Sequence, residues 1–121
     1  MSDSQTFFDA FSVLCEDVNT AYTLLSRKQS ELDRQVTAIY HEIEAHDLDS
    51  DSGYAAAMCL QDALRRRRVV KDEIARMSPL FQFLNEHADA LLKSYHKRVE
   101  KSEEIRRTLN VTLTLEEVLT K

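Results

Sequence analysis

Glycine and proline are nearly missing: the chain of 121 residues has one of each, no tryptophan and two cysteines. Glycine-rich phosphate cradles, dinucleotide-binding folds, β-sandwiches and β-barrels need many residues able to adopt positive φ at their turns, and only Gly53 is available. An all-α chain forming a single helical domain over 1–121 is what remains. Long hydrophobic runs are missing too. No stretch approaches the roughly 20 apolar residues of a membrane span. Met1 to Ala10 carries acids and no base, so neither anchor nor secretory leader is expected, and the expected location is the cytoplasm.

Positive charge is scarce in one half only. Met1 to Gly53 holds eleven acids and three bases, a net of −8, while Tyr54 to Lys121 holds ten acids and thirteen bases, a net of +3. The total of −5 argues against indiscriminate binding of nucleic acid or an anionic membrane. The two halves attract, which leaves less of the basic charge for an outside polyanion.

Between Phe7 and His46 there is no glycine or proline, and Phe11, Val18, Leu25, Leu32 and Ile39 recur every seven positions. Leu14, Ala21, Tyr22, Val36 and Ile43 flank them, which makes one stripe on one long helix, 6–46, capped at Ser4 or Thr6. The run Asp47 to Gly53 is rich in short polar side chains that compete with helical hydrogen bonds, and it predicts a turn over 47–53. A second stripe follows: Tyr54, Ala57, Leu60, Leu64, then a longer step across the arginines to Val70, Ile74, Met77, Phe81, Leu84, Ala88, Leu91, Tyr95 and Val99. It predicts a helix over 54–107, continuous but kinked at Pro79, which lacks the amide that bonds four residues back. Thr108 to Leu115 alternates apolar and polar residues and reads as an extended tail within 108–121. Thr114 and Glu117 have capping-box spacing for one short terminal helix.

Length sets the expected architecture. A helix of about 40 residues is about 60 Å long, against about 35 Å for a compact globule of this size. An elongated antiparallel helical hairpin follows, with positions summing to about 100 facing each other if the turn centres near Ser50. This register sets Ile43 against Ala57, Ile39 against Leu60, Val36 against Leu64 and Leu25 against Ile74. The first helix ends opposite Tyr95, so Val99, Ile105, Leu109, Val111 and Leu113 overhang and are the expected oligomer interface of a helical bundle.

The conspicuous chemical feature is Arg65-Arg66-Arg67-Arg68 with Lys71 nearby, a candidate site for a partner protein or a phosphate. Four consecutive helical residues turn through about 300°, so one arginine must point into the seam, where the register offers Asp33 or Glu31. No aromatic side chain stands beside them to stack a base, which disfavours nucleic acid. Glu44 with Asp47, and Glu100 with Glu103, are spaced like magnesium-binding pairs, but in the wrong order and at opposite ends of the hairpin. His41, Glu44 and His46 lack the Glu-x-x-His spacing of di-iron bundles. Cys15 and Cys59 are out of disulfide reach in this register, and Asn110-Val-Thr112 is a glycosylation triplet without an export signal. No catalytic residue, cofactor or metal is expected.

From Tyr40 to Leu84 the segments Tyr-His-Glu-Ile-Glu, Gly53-Tyr54, Leu-Arg-Arg-Arg-Arg-Val-Val-Lys-Asp-Glu-Ile and Met-Ser-Pro-Leu resemble small helical proteins encoded by phages and prophages of Gram-positive bacteria. That group has a His-x-x-Glu pair before the turn and an Arg-rich, Lys-Asp-Glu segment after it, matched here by His41, Glu44, Arg65 to Arg68, Lys71, Asp72 and Glu73. The resemblance covers over a third of the chain and implies a phage or mobile-element origin, with no activity attached. The combined expectation is a non-catalytic, homo-oligomeric interaction protein that binds a bacterial host or defence protein. Two rivals stand beside it: an oligomer that sequesters a nucleotide or other small phosphate ligand, and an assembly component.

Overall fold

The computed structural model describes residues Asp3–Thr120. Three helices account for nearly all of them: α1 (Asp3–Ala45), α2 (Ser50–Thr108) and α3 (Leu115–Leu119), with no strand among the described residues. The two long helices pack antiparallel, and their contacts divide into two units, Val18–Phe81 and Met1–Asp17 with Gln82–Lys121.

The link between the long helices is tighter than the polar run suggests. Helix α1 ends at Ala45 and α2 begins at Ser50, so the expected turn over 47–53 shrinks to residues 46–49. Asp49 is the reason. Its Oδ1 accepts the Ser52 amide at 2.7 Å, the Ser52 hydroxyl accepts the Asp49 amide at 2.9 Å, and the Asp49 carbonyl takes the first helical bond from Gly53 at 2.8 Å. This reciprocal cap satisfies amides that a helix start otherwise leaves open. Gly53 therefore lies within the first turn of α2, without the positive φ for which a turn glycine is normally used. Likewise Ser4 and Thr6 lie inside α1 instead of capping it.

Helix α2 continues unbroken through Pro79, whose side chain is exposed. It stops at Asn110, which adopts φ 56°. The Asn110 amide bonds the Arg107 carbonyl at 3.2 Å and the Val111 amide bonds the Arg106 carbonyl at 2.8 Å, the paired closure in which a left-handed residue ends a helix. The Arg106 guanidinium also donates to the Leu113 carbonyl, tying the tail to the end of α2. Beyond α2, only 111–114 of the described tail residues are extended chain between the closing turn and α3, so the expected extended tail is shorter than its alternating sequence implies. Thr114 caps α3, its hydroxyl accepting the Glu117 amide at 3.2 Å.

In the Val18–Phe81 unit the seam buries Val18, Leu32, Val36 and Ala63, and Leu32 is only 1% exposed. The Tyr22 and Phe81 rings stack with centroids 3.9 Å apart. The second-helix stripe runs through Ala56, Leu60, Ala63, Arg67, Val70 and Ile74. Tyr54, Ala57 and Leu64, expected on that stripe, are exposed instead. With Ala63 buried and Arg67 half-buried, the steps of three and four run unbroken from Leu60 to Val70, so the apparent long step across the arginines does not exist. Val36 thus faces a seam built from Ala63, and Leu64 is displaced to the flank.

In the other unit Leu84 is the one buried hydrophobic side chain among the described residues. The Phe8 and Tyr95 rings stack at 3.8 Å, and the Tyr95 hydroxyl donates to Gln5 Oε1 at 3.1 Å. Ser4, Gln5 and Phe8 lie against Tyr95, and because α1 extends to Asp3 it reaches past the end the register predicts. Val99 is half-buried in an open groove that it shares with Ser4, Gln5 and Tyr95, so it does not overhang freely. Ile105, Leu109, Val111 and Leu113 remain exposed.

Candidate functional site

The four arginines separate into different roles because consecutive helical residues point in different directions. Arg67 turns toward the seam and its guanidinium bonds the Asp33 carboxylate of α1, one of the two acids the register offers. Both side chains keep a third or more of their surface exposed, so this pair contributes about 1 kcal/mol at most and mainly fixes alignment. Arg66 faces away and pairs along its own helix with Asp62 at 3.0 Å. Arg65, Arg68 and Lys71 form no ion pair among the described residues.

These three cations border an open groove of about 540 Å³ on the flank of α2. Its floor is Ala57, Leu60 and Leu64, the residues that the seam leaves partly or wholly uncovered. The arrangement is an apolar trough with basic charge toward its C-terminal end. Its lining residues are apolar side chains, one glutamine and basic side chains.

A second trough of about 350 Å³ lies at the helix link, lined by Ile39, Ile43, Ala55, Ala56 and Cys59 with His46 at its edge. His41, Glu44 and His46 are all exposed there, and no cluster of three or more metal-ligating side chains exists among the described residues. Glu100 and Glu103 are exposed on α2. Both thiols are free. Burial pushes the half-buried Cys15 thiol above its ordinary value, and the Asp89 carboxylate adds to the shift, so Cys15 is a poor nucleophile. The Asp49 carboxyl is held below the usual carboxylate range by the Ser52 amide and hydroxyl, a consequence of capping.

The cations, and Asp33 with Glu31 as alternative seam partners, were legible in the sequence, but the groove was not. Its floor became legible only once Ala63 and Arg67 displaced Ala57 and Leu64 from the seam. No described helix is long and apolar enough to cross a membrane. No protein-family model, curated protein or solved structure matches the chain.

Proposed function

We propose that this chain is a non-catalytic helical interaction protein that works as a homo-oligomer. The imbalance between covered and uncovered apolar side chains carries this reading. Among the described residues Val18, Leu32, Val36, Ala63 and Leu84 are the buried hydrophobics, whereas Phe7 is 70% exposed, Val69 69% and Phe83 57%. Covering one large apolar side chain contributes about 1.5–3 kcal/mol, so an assembly that covers several gains an amount comparable with the roughly 5–15 kcal/mol by which domains are usually stable, less the cost of association. The exposed tail residues Ile105, Leu109, Val111 and Leu113 belong to the surface available for such contacts.

The finer reading is a phage-encoded factor that binds a bacterial host or defence protein in the host cytoplasm, and the likeness of Tyr40 to Leu84 to phage proteins supports it. The rival, an oligomer that holds a small phosphate ligand, is favoured by the unpaired Arg65, Arg68 and Lys71. Light scattering across a concentration series tests the homo-oligomer. A mass of two or more times 14.0 kDa supports it, and 14.0 kDa at every concentration contradicts it. Mass spectrometry of small molecules released from heat-denatured protein tests the ligand reading, which predicts a recovered phosphate compound.

A further inference from the structure

Helix α1 carries a second strip apart from its seam: Asp3, Phe7, Ala10, Leu14 and Asp17, in steps of four, three, four and three. Residues at this spacing share a helix face. All five are exposed, Phe7 by 70% and Leu14 by 44%, and neither acid has an ion pair among the described residues. The groove on α2 has the same spacing with basic charge at one end: Ala57, Gln61, Leu64, Arg68 and Lys71 follow the same steps of four, three, four and three. Each strip spans fourteen residue steps, about 21 Å of helix. One is an apolar centre between acids, and the other is an apolar trough ending in bases.

We propose that the Asp3–Asp17 strip of one copy docks in the Ala57–Lys71 groove of a second copy, and that the exchange is mutual. This pairing rests on the homo-oligomer reading above and assigns its surface. Phe7 and Leu14 enter the trough over Leu60 and Leu64, and a strip carboxylate meets Arg68 and Lys71 at its basic end. In a twofold dimer each copy donates one strip and receives one, so every contact occurs twice. Like charges placed at the same positions repel, so the interface selects its partner by sign as well as by shape.

The test is a charge exchange on the full-length chain. One variant carries Asp3→Lys and Asp17→Lys, and the other carries Arg68→Glu and Lys71→Glu. All four positions are exposed or half-exposed, and circular dichroism verifies the helices. Each variant alone is expected to dissociate at least tenfold more readily than the unmodified protein. An equimolar mixture is expected to recover a one-to-one heterodimer, because both of its contacts then have opposite charges. If the unmodified protein associates and the variants associate equally well, or if mixing restores nothing, the pairing is wrong while the homo-oligomer stands. An unmodified protein that never associates defeats the homo-oligomer reading itself. A monomer whose melting temperature rises with ATP or inorganic phosphate, but not with more protein, would assign the groove to a small anion and overturn the pairing.

A second measurement does not depend on the variants folding. Carbodiimide joins a carboxylate to an amine in contact, and Lys71 is the one amine in the groove. In a dimer mixed from ¹⁴N- and ¹⁵N-labelled chains, a hybrid-isotope peptide linking Lys71 to Asp3 or Asp17 is expected. Covalent dimers without that link would overturn the pairing.

Discussion

Leu32 shows how much of this structure rests on single side chains. It is 1% exposed and sits where α1 meets the seam of the Val18–Phe81 unit. Truncation to alanine removes its packing and leaves a cavity, so Leu32→Ala is expected to destabilise by about 2–5 kcal/mol, measured by urea unfolding. The Arg67–Asp33 pair lies nearby but differs in kind, since partial exposure makes it a marker of register more than a source of stability. Its presence in the seam was legible from elementary geometry: four arginines in a row cannot all face water when the opposite helix presents a carboxylate. Which apolar neighbours the seam would exclude was not legible, because Ala63 and Leu64 are adjacent and both apolar, and only packing against α1 chooses between them.

At the scale of elements, both long helices were readable because glycine is so scarce and the apolar spacing so regular. Their ends were harder. The link was expected at seven residues because Asp, Ser and Gly favour turns, yet one side chain, Asp49, starts α2 early by capping it. The structure therefore predicts a pH-dependent cap. Asp49 titrates below the ordinary carboxylate value of about 3.9, so its stabilising effect is present above that pH and is lost as pH falls through its lowered pKa. Asp49→Ala is expected to lower the melting temperature at neutral pH, and the difference from the unmodified protein should close in acid. Asp49→Asn, which retains a capping oxygen, should lose less.

Gly53 offers the complementary test. It occupies helical backbone without positive φ, and an added Cβ would meet nothing nearer than Leu48 Cβ at 3.9 Å, an ordinary contact. Gly53→Ala is expected to stabilise by about 0.4–1 kcal/mol through the entropy of the unfolded chain. A loss of stability would mean that the residue is needed as a turn glycine after all. Asn110 shows the reverse situation. It has the positive φ that was sought at Gly53, and because asparagine tolerates that conformation the end of α2 was hidden within an alternating sequence that reads as extended.

Across the whole molecule the account depends on a shortage of burial. The Met1–Asp17 with Gln82–Lys121 unit has Leu84 as its one buried hydrophobic side chain among the described residues, and the rest of its apolar contact comes from half-buried side chains such as Phe8, Tyr95 and Val99. In the proposed pairing a second copy would cover Phe7, Leu14 and Leu64, which are exposed in the single chain. Composition announced the deficit, since 43% hydrophobic residues spread over two helices exceed what one seam can hide. The surface that would make it good could not be read until the structure showed Ala57 and Leu64 on the flank. Binding that favours the folded state raises its stability by mass action, so association and unfolding are linked. The decisive measurement is the midpoint of urea unfolding followed from low to high micromolar protein. A midpoint that climbs steadily with concentration is predicted, and one that stays constant while the helices remain folded would contradict the central claim.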